Sequence, residues 1–245
     1  MKYLTLKEIK PFLLSALSGV LLTLTFPEHN WEILAWAAWV PLFLAIENAT
    51  PQRAALLGFV TGMVFYNWGL SWINNTLINY GNLHWILSFA VLGLLSAYLS
   101  FFIALFCYFL RKICGENRIR FFLFAPVLWV SLEYLRSTHS EYGFSWLGLG
   151  YSQFQTLPVI QIAEWTGVYG ISWFLILVNS GLFLFWQCWF EQTDLELQTG
   201  WRVLSVTLLI SVLWVAYGNQ SLKRYSSLET NNEKIKIALV QGNVE

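Results

Sequence analysis

Residues 85–110, WILSFAVLGLLSAYLSFFIALFCYFL, contain no Asp, Glu, Lys or Arg. At a rise of 1.5 Å per residue, this run as a helix is long enough to cross a bilayer core of about 30 Å. A chain built around such a run has few ways to fold. In hydrocarbon each backbone N–H and C=O must find a partner inside the protein, and a helix satisfies that demand locally. Composition points the same way. The chain is 57% hydrophobic and 11% charged, where a soluble domain carries about 25% charge. Aromatics make up 18%, with 14 Trp, more apolar surface than a water-soluble globule hides. Net charge is zero, so bulk electrostatics says nothing about nucleic acid, and no Lys/Arg-rich run suggests a phosphate-tracking face.

The sequence reads as an all-α polytopic membrane protein with about seven transmembrane helices, near 9–26, 31–46, 54–74, 85–110, 121–138, 167–190 and 201–217. The second is short, and Pro41 is expected to kink it. Residues 1–217 then form a membrane domain. Lys2, Lys7 and Lys10 ahead of PFLLSALSGVLLTLTF have the outline of a secretory signal. The run closes on PEHN rather than on a small-x-small cleavage site, so an uncleaved first span fits better.

With the N-terminus in the cytoplasm, the cytoplasmic segments hold Lys2, Lys7, Lys10, Arg53, Arg111, Lys112, Arg118, Arg120 and Arg202. The short segments on the other side hold only Arg136. That asymmetry satisfies the positive-inside rule and places the C-terminal tail outside. In the tail, GNQSLKRYSSLETNNEK (218–234) reads as a polar linker. IKIALVQGN then sets Ile235, Ile237 and Leu239 on one face and Lys236, Ala238 and Val240 on the other, as a strand entering a turn. A single strand needs partners, so residues 235–245 imply a sheet supplied by more chain or by another protein.

Chemistry-bearing residues are sparse. Cys107, Cys114 and Cys188 lack metal-ligand spacing and fall toward the cytoplasmic side, as inert thiols. His29, His84 and His139 fall in outer loops without a partner motif and read as interfacial polar residues. There is no phosphate-binding glycine loop, dinucleotide fingerprint or pair of catalytic carboxylates. Glu133 and Arg136, three apart in LWVSLEYLRS, share a helical face. They form either an ion pair that pins the helix end or a site where Arg136 takes a lipid phosphate. The stretch 141–173 is rich in glycine and aromatics, and Trp146, Tyr151, Trp165 and Tyr169 suit headgroup level. It is either an interfacial anchor or one wall of a lipid groove. In 67–85, Asn67, Asn74, Asn75 and Asn79 accompany Trp72 and Tyr80, and the NNT glycosylation pattern at 74–76 sits too near the membrane to weigh.

FAPVLWVSLEYLRS followed by YGFSWLGLGYSQ resembles the bacterial apolipoprotein N-acyltransferase family. The matching residues are Ala125, Pro126, Trp129, Glu133, Tyr134, Leu135 and Arg136, then Gly143, Phe144, Trp146, Gly150, Tyr151, Ser152 and Gln153. TGVYGISWFL and the closing IALVQGN also look like the family.

The resemblance implies that 235–245 is the first strand of an α/β nitrilase-like domain outside the membrane. It implies a two-step reaction. A cysteine thiolate takes an acyl chain from a phospholipid, and the thioester passes it to the amino group of a diacylglyceryl-cysteine at the N-terminus of an apolipoprotein. A glutamate serves as base and a lysine stabilises the oxyanion. On this reading the Glu, Lys and Cys lie beyond residue 245, and this chain carries no catalytic residue, cofactor or metal. Its part is to bind and orient lipid, with Trp72, Glu133, Arg136, Gly143, Phe144, Trp146, Tyr151 and Gln153 as the candidates. The implied partners are the phospholipid donor, the apolipoprotein acceptor, the bacterial inner membrane and a nitrilase-like domain in cis or in trans. The alternative is a non-catalytic scaffold that recruits a separate nitrilase-like protein through residues 235–243. A transporter fits less well, because no span is dotted with ionisable residues.

Overall fold

The apolar runs fold as helices. A computed structural model describes residues 6–139, 141, 143–191, 194–231 and 238–239. Its elements are α1 (Leu6–Leu24), a 3-10 turn (Glu32–Trp36), α2 (Val40–Ile46), α3 (Pro51–Gly69), α4 (Trp72–Asn79), α5 (Trp85–Cys114), α6 (Arg118–Thr138), a second 3-10 turn (Leu149–Gln153), α7 (Leu157–Ile160), α8 (Ala163–Glu191) and α9 (Asp194–Asn231). Local chemistry sets several starts. Thr50 Oγ1 accepts from Arg53 N with Pro51 at the first helical position, and Asn117 Oδ1 accepts from Arg120 N.

The helices form a bundle whose successive members reverse direction. On the α3–α5 seam Gly58 meets Ile103 and Cys107 while Gly62 meets Ser100, so the two run antiparallel. Phe121 of α6 packs on Phe183 of α8, and Gly181 of α8 faces Thr207 of α9, again antiparallel. One end of the bundle therefore collects residues 25–31, α4 and 143–162. The opposite end collects 47–50, 114–118 and the last turns of α8. The core between them is aromatic. Trp39 lies edge-on to Trp129 at 4.4 Å between ring centroids, and Phe43 packs on Phe121 at 5.1 Å.

The second apolar run is not one helix. It breaks between Trp36 and Val40, and Pro41 stands in the first turn of α2 rather than at a kink. The reason is that Pro lacks an N–H, and a first turn has no use for one. The break exposes backbone groups inside the bundle, and side chains of two other helices answer them. Asn179 of α8 is fully buried, accepts from Trp39 N at 2.9 Å and donates to Ala35 O at 2.8 Å. Ser18 of α1 donates to Ala38 O. Asn179→Leu should therefore lower stability by about 2 kcal/mol, because two buried backbone groups lose their partner. An SDS-titrated unfolding curve with an unshifted midpoint would rule this out.

Among the described residues, three helices are each long and apolar enough to cross a membrane: α5, α8 and α9. A fourth is counted if α3 and α4, bent by 52°, are taken as one span. The run 9–26 and the run 121–138 are helices, α1 and α6, but Lys7, Glu8 and Lys10 in the first and Arg118, Arg120, Glu133 and Arg136 in the second dilute their apolar character. The expected 54–74 span is α3 turning into α4. The expected linker from residue 218 is helical through Asn231. Leu, Lys, Arg and Glu in SLKRYSSLE favour helix, and no proline stops it. Gly218 belongs there because a Cβ would strike the Pro158 carbonyl of α7. The expected strand 235–245 lies outside the described residues except for 238–239, which carry no strand assignment.

Candidate functional site

At the loop end a cavity of about 680 Å³ opens between the end of α1, the α3–α4 bend and the segment 145–154. Its size falls in the range of ligand sites, and its walls are mainly apolar with a few polar groups. Phe26, Trp68, Trp72, Trp146, Leu147, Tyr151 and Phe154 supply the apolar surface; Glu28, His29, Ser71 and Ser145 supply the polar edge. Trp72 and Trp146 meet at 5.1 Å between centroids, and His29 lies edge-on to Trp68 at 5.9 Å. Both tryptophans remain exposed, at 43% and 57%, so their faces are open to an entering molecule.

The segment carrying Trp146 is held from below by buried polar groups. Arg136, near the end of α6, is 1% exposed. Its Nη1 donates to Phe144 O at 3.0 Å and Trp146 O at 2.9 Å, while its own carbonyl accepts from Phe144 N at 2.8 Å. Its guanidinium also lies over the Tyr66 ring at 5.6 Å. Glu133, one turn earlier and 3% exposed, accepts from Leu149 N at 2.6 Å. The Ser172 hydroxyl and the Trp129 indole face the same carboxylate. Ser172 Oγ accepts from Gly150 N at 2.8 Å, and Gln153 Nε2 donates to Glu32 O at 3.0 Å. Leu147 takes a positive φ of 57° between these anchors. Backbone that turns this sharply inside an apolar bundle persists only where side chains answer its polar groups. The result is a rigid shelf that presents Trp146 and Tyr151 to the cavity.

The eight candidates thus divide. Trp72, Trp146 and Tyr151 line the cavity. Glu133, Arg136 and Gln153 lie behind it as buried supports of the shelf, Phe144 is a half-buried part of the clamp, and Gly143 lies against the Ser137 carbonyl, where a Cβ would clash. Glu133 and Arg136 do not hydrogen-bond each other. Each is spent on loop backbone, because carbonyls and amides that cannot reach water compete for both charges. Arg136, buried in this way, does not present its guanidinium to the cavity. Sequence reading missed the wall from residues 23–29 together with Trp68, Ser71 and Leu147. The one local signal was His29 beside Pro27 and Glu28 in a helix-breaking stretch. All three cysteines are buried and none forms a disulfide. No cluster of His, Cys, Asp or Glu among the described residues is arranged to hold a metal ion.

Residues 18–181 match the family model described as the apolipoprotein N-acyltransferase N-terminal domain. The chain is 41% identical over 239 residues to a protein of Geobacter metallireducens named apolipoprotein N-acyltransferase, covering 96% of this chain and 44% of that one. It is 30% identical over 237 residues to the protein of that name in Methylococcus capsulatus (96% and 44%) and 29% identical over 233 residues to that in Photobacterium profundum (95% and 42%). The chain spans less than half the length of these curated relatives.

Proposed function

Since the chain belongs to the apolipoprotein N-acyltransferase family, as its N-terminal domain, we propose that it is the membrane half of an acyl-transfer enzyme and that its loop-end cavity receives the acyl-donor phospholipid. The observation that carries this reading is the pairing of an open aromatic cavity with a polar edge at one end of an apolar bundle. A diacyl lipid has that same division. Its chains pack on Phe26, Trp68, Trp72 and Trp146, and its headgroup meets Glu28, His29, Ser71 and Ser145. The supports behind Trp146 hold this wall in place before lipid arrives, so little ordering is left for the binding step.

In this proposal seven helical passes cross the bacterial inner membrane, with the N-terminus in the cytoplasm and the loop end in the periplasm. The reversing helix directions support it, and so does the gathering of Arg53, Arg111, Lys112, Arg118, Arg120 and Arg202 at the opposite end. The acceptor is the diacylglyceryl-cysteine of an apolipoprotein. The bond-making groups stand in a nitrilase-like domain above the cavity, supplied in cis or in trans. The contribution of the present residues is positioning, which lowers a barrier by fixing the ester near its attacker.

A phospholipid with a photoactivatable acyl chain, in nanodiscs, tests this. Crosslinks mapped by mass spectrometry should concentrate at Trp72, Tyr151 and Phe154. Trp146→Ala should reduce them about tenfold, the equivalent of roughly 1.4 kcal/mol of aromatic contact. Crosslinks spread evenly around the bundle, and unchanged by Trp146→Ala, would overturn the proposal.

A further inference from the structure

A second recess, of about 640 Å³, lies at the opposite end of the bundle. The end of α2, the α5–α6 turn and the last turns of α8 surround it. Its chemistry differs from that of the loop-end cavity. Glu47, Asn48, Arg111, Glu116, Arg118 and Gln187 line it, over a floor of Phe121 and Phe183.

Two features point to a ligand. Gln187 is 8% exposed, and its amide orientation is set because Nε2 donates to Glu47 Oε1. Its Oε1 is then a buried acceptor without a donor. A buried acceptor of this kind calls for an N–H or O–H from elsewhere. Next to it stands the Glu47 carboxylate, only half-buried. Together they form an acceptor pair with negative charge, suited to a primary ammonium group. Across the recess Arg111 is braced by two backbone bonds, Nε to Ala49 O at 3.2 Å and Nη1 to Gly115 O. Neither bond uses Nη2. A braced guanidinium loses little entropy on taking an anion, and Arg118 adds a second positive charge on the same wall. The recess therefore offers positive and negative faces over an aromatic floor, at the level where α5 leaves its uncharged run.

We propose that this recess binds the headgroup of an ethanolamine phospholipid, with the ammonium on Glu47 and Gln187 and the phosphodiester on Arg111. Ethanolamine carries its nitrogen two carbons from the phosphate ester, so one headgroup brings both charges into one recess lined by residues of both signs. Its chains run along the outer surface of the bundle beside the exposed Ile119 and Leu123 of α6. A choline headgroup has the same charges but no N–H, so it leaves Gln187 Oε1 unanswered. This lipid sits in the leaflet away from the loop-end cavity and holds α2, α6 and α8 together where α2 is shortest. It does not depend on acyl transfer; only the naming of the leaflet as the cytoplasmic one rests on the orientation proposed above.

Native mass spectrometry of the detergent-released chain tests the site, with lipids added back one class at a time. Ethanolamine phospholipid should be retained about tenfold better than choline phospholipid of the same chains. Glu47→Gln should remove that preference while leaving phosphate-dependent retention in place, and Arg118→Gln should weaken both lipids together. Trp146→Ala, at the other end, should leave the preference intact, which separates this site from the loop-end cavity. Equal retention of the two lipids by the unmodified chain would overturn the proposal, as would a preference that survives Glu47→Gln. Soluble glycerophosphoethanolamine should compete poorly. Competition as strong as that of the lipid itself would show that the recess serves a soluble zwitterion instead.

Discussion

Arg136→Gln should destabilise the chain by about 3–5 kcal/mol, the loss seen when one member of a buried charged set is removed. The side chain is 1% exposed and its Nη1 serves the carbonyls of Phe144 and Trp146 at once. Glutamine is too short to reach both. Its arrival also leaves Glu133 without the opposite charge that acts on it inside the bundle. The midpoint of SDS unfolding reports the stability loss, and chymotrypsin cleavage at the aromatic residues between 143 and 156 reports release of the shelf. Arg136→Lys should rescue only in part, because an ammonium lacks the planar fork that spans two carbonyls. The double variant Glu133→Gln/Arg136→Gln separates charge from geometry. With no charge left unbalanced, it should be less destabilised than the sum of the two single changes, by about 0.5–3 kcal/mol. Wild-type stability of Arg136→Gln would mean that the shelf does not depend on this clamp.

The second large effect is expected on the α3–α5 seam. Gly58 and Gly62, four apart, put a bare strip of α3 against α5. A Cβ at Gly58 would lie 2.7 Å from Cys107 Sγ and 2.8 Å from the Ile103 carbonyl oxygen; one at Gly62 would lie 2.7 Å from Ser100 Cα. Small residues at this spacing let two helices in lipid approach until their backbones touch. Valine at either position pushes the helices apart, and overpacking of this kind costs about 1–3 kcal/mol per site. Gly58→Val/Gly62→Val should therefore cost roughly 2–6 kcal/mol and widen the α3–α4 bend from which Trp72 projects, if the two sites add. A disulfide ruler between α3 and α5, with cysteine pairs placed outside the seam, measures the separation directly. Unchanged cross-linking yields together with wild-type stability would refute the account.

These two sites also mark where local reading of the chain stops. The glycines stand in plain view as Gly-x-x-x-Gly, yet nothing nearby names the helix that they meet, because Ser100 and Cys107 lie roughly forty to fifty residues on. Glu133 and Arg136 share a helical face and read as a pair. Their partners turn out to be backbone groups eight to sixteen residues away, whose need for hydrogen bonds follows only once residues 144–149 are folded away from water. The same holds for the broken second run. A short apolar stretch with Pro41 suggests a kinked helix, and what permits a true break is Asn179, far along the chain on α8. The helical end of α9 departs from the linker expectation for the opposite reason. Polar composition at 218–231 resembles a linker, while helix propensity and the fit of Gly218 against Pro158 extend the helix.

What the amino-acid sequence determined by itself is the solvent and the class: long uncharged runs commit the chain to helices in lipid, and its motifs place it in its family. Those properties are local or additive, so order and composition carry them. What the tertiary structure decided is which polar groups become supports and which face a ligand. Trp72 and Trp146 meet across 74 residues of chain, and Arg136 turns inward rather than toward the cavity. The physical reason is competition for hydrogen bonds without water. A buried charge goes to whichever backbone group has no other partner, and that is settled only when all the helices are in place.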